Sequence, residues 1–172
     1  MSLAGSSLIR LSQEHTILPF DCGDSDLNDY LFTLSKPNYK HLVSVTYLFE
    51  RSNKTIAFFT VSNDKISYEE IESKTMWKNF MPHNKRLKNY PAVKIGRLGV
   101  HNEVQRQGIG KSILDYIKQL FITNNRTGCK FITVDAYKSS LDFYEKNSFK
   151  YFSSKDKDSD TRQMYFDLLP YK

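Results

Sequence analysis

The chain has 172 residues, 40% of them hydrophobic and 14% aromatic, and a formal net charge of +6. That size suits one domain with a sizeable core, and that composition excludes a disordered chain. No apolar run is long enough to span a bilayer, and two cysteines, Cys22 and Cys129, are too few for a disulfide framework. The pair reads as two reduced thiols of a cytoplasmic protein, at a spacing that fits no metal site. Residues 1–7 lack a charged n-region and an apolar h-region, so they read as a disordered leader or an expression remnant, not a signal peptide. The positive charge favours polyanionic partners, nucleic acid among them. It is densest at Lys78, His83, Lys85, Arg86 and Lys88, where Trp77, Phe80 and Tyr90 read either as base-stacking rings or as core.

In chain order, Leu8 to Leu11 reads as a short strand. Asp24 is a helix N-cap, with Leu27, Tyr30, Leu31 and Leu34 at helical spacing behind it, and Pro37 is expected to end that helix. Val43 to Glu50 and Thr55 to Val61 are rich in β-branched and aromatic residues. With the turn Arg51-Ser52-Asn53-Lys54 between them they predict a β-hairpin. Ser67 to Asn79 is weakly helical, with Ser67 and Glu70 at capping-box spacing, and Phe80 to Tyr90 is a polar, basic loop. Ala92 to Val100 is a strand whose Gly96 and Gly99 signal a bulge or a close approach to the backbone.

The strongest helical signal runs from Gly108 to about Thr123, with Ile109, Ile113, Leu114, Ile117, Leu120 and Phe121 on one face. Phe131 to Ala136 is a strand. Ser139 opens a second amphipathic helix carrying Leu141, Phe143, Tyr144 and Phe149. Lys150 to Ser153 and Gln163 to Leu168 are closing strands around a charged turn. Strand–helix–strand order in the second half implies a parallel pair with a right-handed crossover, hence a mixed sheet with helices on its faces.

Between the Ala92 strand and the long helix lies Val104-Gln105-Arg106-Gln107-Gly108-Ile109-Gly110-Lys111-Ser112. A glycine-rich turn at a helix N-terminus presents free backbone N–H groups and the positive end of the helix dipole, which together bind anions. Gly110-Lys111-Ser112 ends like a P-loop, but Gln105 stands where that motif needs a glycine. Ile113 stands where a dinucleotide fingerprint needs its third glycine. What fits is Gln-x-x-Gly-x-Gly at Gln105, Gly108 and Gly110. Glycines placed for close helix packing would give the same spacing.

That loop resembles the acetyl-CoA signature of the GNAT N-acetyltransferase superfamily. Leu141-Asp142-Phe143-Tyr144-Glu145-Lys146-Asn147-Ser148-Phe149 is similar to the same family's Phe-Tyr-Glu-Lys-x-Gly-Phe segment. The two motifs stand in the family's order with a strand between them. The resemblance implies an α/β fold with a mixed, splayed central sheet of about six to seven strands flanked by helices. It implies a single N-acetyltransferase domain over 1–172, acetyl-CoA as cofactor and a primary amine as acceptor. It makes Gln105, Arg106, Gln107, Gly108, Ile109, Gly110, Lys111 and Ser112 the pyrophosphate cradle. Leu98 and Val100 become backbone contacts to the cofactor, and Gly99, Ser139 and Phe143 join the cofactor set. Tyr144 falls on the family's general acid, which protonates the departing CoA thiolate. Tyr137, just past the strand end, is its competitor.

Two residues depart from the pattern. Ser148 replaces a glycine whose position favours positive φ, so the helix end is expected to differ or to be strained. Ser139 and Ser140 stand where many members have an asparagine. No general base is evident, and His101 and Glu103 read as surface residues beside the loop. An α-amine, with a pKa near ~8, needs less help than an ε-amine near ~10.4.

Phe20-Asp21-Cys22-Gly23-Asp24-Ser25-Asp26-Leu27-Asn28-Asp29-Tyr30-Leu31 is similar to the opening of a GNAT branch that contains toxins of toxin–antitoxin pairs. That resemblance implies acetylation of the amino acid on charged tRNA, with tRNA, a homodimer and an antitoxin as candidate partners. The alternatives are a small-amine or protein N-terminal acetyltransferase, or a non-catalytic CoA-binding module. A packed helix entry would also account for the Cys-Gly segment.

Overall fold

A computed structural model of the chain describes residues 3–80, 87–123, 125 and 127–171. Strand β1 (Ser7–Arg10) pairs antiparallel with β2 (Val45–Arg51), Leu8 opposite Phe49. Ser7 therefore already belongs to the sheet. Helix α1 (Ser25–Asp29) opens as expected: the Asp24 carboxylate accepts the N–H groups of Asp26 and Leu27 at 2.9 and 3.1 Å.

Pro37 does not end that helix. The chain widens into a π turn, Tyr30–Leu34, and continues as α2 (Ser35–Lys40) with Pro37 in its first turn. The Ser35 N–H bonds five residues back to Tyr30, and the Ser35 hydroxyl takes the Leu31 carbonyl. The π turn thus shifts the ladder just where the proline has no N–H to offer, and a proline is tolerated in a first turn.

The hairpin forms as the sequence predicts. Ser52 and Asn53 both take positive φ, 51° and 59°, the backbone of a two-residue primed turn between β2 and β3 (Lys54–Ser67). Thr55–Val61 is an unbroken buried run, so this part of β3 is covered on both faces. The strand continues six residues past Val61, all polar but the buried Ile66, and among them Asp64 accepts the Thr133 hydroxyl.

The weak helix read over Ser67 to Asn79 is two pieces. A 3₁₀ turn, Tyr68–Glu70, carries the capping box, with the Ser67 N–H on the Glu70 carboxylate at 2.6 Å. Ile71 is extended, and α3 (Lys74–Asn79) starts afresh under Ser73. Then come β4 (Asn89–Val100), α4 (Ile109–Thr123), β5 (Phe131–Tyr137), a 3₁₀ turn at Lys138–Ser140, α5 (Leu141–Lys146), β6 (Lys150–Tyr151) and β7 (Thr161–Asp167). The second helix thus begins two residues later than Ser139.

The seven strands form one mixed sheet in the order β1-β2-β3-β4-β5-β7-β6. β4 and β5 are neighbours joined through α4, the helical connection that parallel strands need. Among the described residues no helix is long and apolar enough to cross a membrane.

The chain divides into two compact units, residues up to Ser62 with Ile95–Ile117, and Asn63–Lys94 with the chain from Lys118 onward. The core of the first includes Leu11, Phe20, Tyr30, Leu31, Leu48 and Phe58. The core of the second includes Trp77, Phe80, Tyr90, Phe131, Phe152 and Tyr165. Trp77, Phe80 and Tyr90 are therefore core aromatics. Of the basic patch beside them, Lys78 and Lys88 are exposed, while His83, Lys85 and Arg86 lie outside the described residues.

Candidate active site

The first part of the site grows out of the end of β4. Its glycines are explained by packing inside the first unit. A Cβ on Gly99 would sit 2.6 Å from the Phe58 ring and 3.1 Å from Phe20, and one on Gly96 would sit 3.0 Å from the Thr60 hydroxyl. No larger residue fits at Gly99 without moving two buried rings. Leu98 and Val100, the expected backbone contacts to the cofactor, flank it and are half-buried.

After Val100 the chain makes a 3₁₀ turn, Asn102–Val104. His101 is not a surface residue: it is buried, edge-on to Phe20, and its Nδ1 accepts the Glu103 N–H. Glu103 is exposed and paired with Lys54 at 2.9 Å, which holds its carboxyl below the ordinary range. The Gln105 side chain is spent on structure. Its amide donates to the carbonyls of Cys22 at 2.8 Å and Val100 at 2.9 Å.

Arg106 (φ 59°) and Gly108 (φ 80°) then turn the chain into α4. The Ser112 N–H and hydroxyl both return to the Gly108 carbonyl, at 3.0 and 3.3 Å. The N–H groups of Gly108, Ile109, Gly110 and Lys111 have no partner among the described residues. Nothing lies within 4 Å of a Cβ built on Gly108, so the turn is unobstructed on that side. Four unpaired donors at the positive end of a 15-residue helix suit a pyrophosphate. The backbone supplies this cradle. The Ile109 side chain is buried in the core, the Gln107 amide reaches back to the Glu103 carbonyl, and Lys111 pairs with Asp115 one turn on.

Ser139, Phe143 and Tyr144 belong to the second unit. Tyr144 is only 7% exposed, held edge-on between Phe143 (ring centroids 5.1 Å apart) and Phe149 (5.2 Å). Its hydroxyl makes no hydrogen bond among the described residues, and burial pushes the phenol well above the ordinary tyrosine value. The ring is fixed by the way α5 ends. The Phe149 N–H returns to the Tyr144 carbonyl at 3.0 Å and the Ser148 N–H to Glu145 at 2.9 Å. With Phe149 packed on Tyr144, this is a Schellman stop. Ser148 adopts the left-handed conformation usually left to glycine, φ 70°, so the helix ends in the family's manner at the cost of strain in Ser148.

Asn147 completes the lock, its amide on the Phe143 carbonyl at 2.7 Å. Tyr137, the competing tyrosine, is 55% exposed at the end of β5, and Ser139 is exposed in the 3₁₀ turn before α5. Tyr137 is solvated, whereas Tyr144 is held by its ring and its hydroxyl is unpaired among the described residues.

Sequence reasoning missed Asp21, Asn28 and Asn102, whose side chains are bonded to one another around the loop's base. The Phe20–Cys22–Gly23 segment was the visible sign of them.

The acetyltransferase (GNAT) domain family matches the chain over residues 55–163. Among solved structures, a tyrosine-to-phenylalanine mutant of KacT superposes with a TM-score of 0.78 at 20% identity, covering 96% of each chain. AtaT complexed with acetyl-methionyl-tRNAfMet gives 0.79 at 18% identity, again covering 96% of each chain. A mutant AtaT toxin bound to the C-terminus of the antitoxin AtaR and acetyl-CoA gives 0.74 at 17%, covering 96% of this chain and 95% of that one. At these identities the likeness is one of fold.

Proposed function

The chain belongs to the acetyltransferase (GNAT) family, acyltransferases that draw on acetyl-CoA, and we propose that the amine it acetylates is the α-amine of an aminoacyl-tRNA. The observation that carries the transferase reading is the run of unpaired N–H groups from Gly108 to Lys111 at the start of α4. The acceptor reading is supported by the net charge of +6, suited to a polyanion, and by the fold shared with AtaT complexed with acetyl-methionyl-tRNAfMet. An α-amine is also half deprotonated near pH ~8, so it attacks without a dedicated base. The reading makes the whole chain one catalytic domain working in the cytoplasm, with an antitoxin as its partner.

Each residue then has a stated task. The cradle from Gln105 to Ser112 holds the pyrophosphate, and a backbone N–H of the Leu98–Val100 stretch stabilises charge on the thioester oxygen. The amine nitrogen bonds to the acetyl carbon, the C–S bond breaks, and the sulfur leaves with the Tyr144 proton. The proton shed by the nitrogen restores the phenol.

The test is an acetyl-transfer assay with labelled acetyl-CoA against charged tRNA, free amino acids, polyamines and peptides. Label appearing on charged tRNA alone supports the reading. Label on polyamines or peptides instead would move the protein among small-amine or N-terminal acetyltransferases. Binding of acetyl-CoA without transfer to any acceptor would overturn an enzymatic role.

A further inference from the structure

The loop that carries the cradle has almost nothing apolar to hold it. From Asn102 to Gly108 every residue is exposed except the half-buried Val104. Fixing each residue of such a stretch costs roughly 1–2 kcal/mol of conformational entropy. An anion site made of backbone N–H groups binds well only if they are already aimed. Something polar must therefore hold the loop, and the structure shows what does.

Asp21 stands at its centre. Its Oδ1 accepts the Gly23 N–H and the Asn28 side-chain amide, both at 2.8 Å. Its Oδ2 accepts the Asn102 amide at 3.2 Å, and its own carbonyl accepts the Asn102 N–H at 2.8 Å. Asn28 in turn receives the Cys22 N–H on its Oδ1 at 3.1 Å. The Cys22 carbonyl receives the Gln105 amide. Both ends of the turn before the cradle are thus tied to one three-residue corner. That corner is staked by Phe20 on one side and by α1 on the other, with Phe20, Tyr30 and Leu31 in the first unit's core.

We propose that Asp21 and Asn28 are positioning residues for acetyl-CoA binding, acting through Asn102 and Gln105 to hold the cradle in its binding conformation. The inference rests on the reading of residues 105–112 as the acetyl-CoA cradle. It gives the Asp-Cys-Gly corner a task at the cofactor site without any contact to cofactor or acceptor.

The test uses the full chain and three variants: Asp21→Asn, Asn102→Asp and the double variant. Asn102→Asp sets carboxylate against carboxylate, and Asp21→Asn sets an NH2 group where the Asn102 NH2 donates, a clash relieved only by turning the Asn102 amide over. The double variant restores the contact with its polarity reversed. Acetyl-CoA affinity by calorimetry, steady-state kinetics and Tm are read for each. The singles should weaken acetyl-CoA binding roughly three- to tenfold, the worth of one such hydrogen bond, with kcat and the acceptor KM unchanged. The double should return to within about twofold of the parent.

Asp21→Asn carries the sharpest sign. Removing a negative charge beside an anion site would by itself tighten binding, whereas a lost brace loosens it. Unchanged or tighter binding in Asp21→Asn, a double variant no better than the singles, or a loss confined to Tm with affinity intact would each overturn the proposal. Should Asp21→Asn not fold, Asn102→Asp against the double variant makes the same comparison. A parent protein that binds no acetyl-CoA would overturn the reading of the cradle itself, a result distinct from the others.

Discussion

The cradle at the start of α4 and the Tyr144 segment at α5 solve opposite problems. The cradle is exposed backbone: in the proposed reading its working atoms are main-chain N–H groups, and polar side chains at the surface hold the loop in place. The Tyr144 segment is buried: in the proposed mechanism its working atom is a side-chain hydroxyl, and aromatic packing with a helix stop fixes the ring. A site that must meet a large polyanion stays open and is braced by hydrogen bonds. The group proposed to deliver a proton is held by ring packing instead. The first should be sensitive to backbone freedom and charge, the second to a single oxygen atom.

The sharpest way to break this contrast is Tyr144→Phe. It removes the hydroxyl and keeps the ring between Phe143 and Phe149. We expect kcat to fall about a hundredfold or more, with acetyl-CoA affinity unchanged. Because the lost hydroxyl has no hydrogen-bond partner among the described residues, Tm should hold or rise. A variant with full kcat would return the acid role to another group.

Next in size is Gly108→Ala. The new methyl meets nothing within 4 Å, so only the positive φ is penalised, by about 1–2 kcal/mol. Acetyl-CoA binding should weaken about tenfold with kcat spared, measured by calorimetry beside turnover. Equal losses in both would show that the cradle does more than hold the cofactor.

The pH dependence separates the two regions again. With its pKa raised by burial, Tyr144 keeps its proton beyond the ordinary tyrosine value of ~10. Activity should rise as the acceptor amine loses its proton near ~8 and then stay level to pH ~10. A decline in kcat beginning below pH 9 would contradict this. The linked stability term has the same sign. The unfolded tyrosine ionises above ~10 while the folded one does not, so stability present below that pH is lost above it, and Tyr144→Phe abolishes that part.

The smallest effect is Ser148→Gly. It relieves the left-handed strain that closes α5 and should stabilise the protein by about 1 kcal/mol, or about 2–4 °C in Tm. A lower Tm would mean that the strain is absent or offset by a contact of the serine.

Much of this was legible in the sequence where the chemistry constrains residue type. The hairpin turn, the long α4 and the Gly108 turn are visible because periodicity and positive φ select residues directly. The helix around Tyr144 was legible from its apolar residues, although the unpaired hydroxyl was not. The brace was illegible for a physical reason. Gln105 bonds to backbone carbonyls, which every residue has, and Asp21 meets Asn102 across 81 positions of sequence. Pro37 misled because a proline reads as a stop unless the ladder ahead of it shifts by one residue. That shift, the π turn, has no sequence pattern of its own. Ser67 to Asn79 misled because its one capping box closes a single turn, and a second cap at Ser73 was hidden inside the same polar stretch.

The borders of the two compact units fall between Ser62 and Asn63, Lys94 and Ile95, and Ile117 and Lys118. All three lie inside β3, β4 and α4, not in linkers. Gene fusion and shuffling exchange parts at linkers, where a cut severs no hydrogen-bonded ladder. Here every such cut would split a strand or a helix. The stretches that carry the cradle and Tyr144 are therefore expected to be inherited together, since a cut at any of these borders severs a hydrogen-bonded strand or helix.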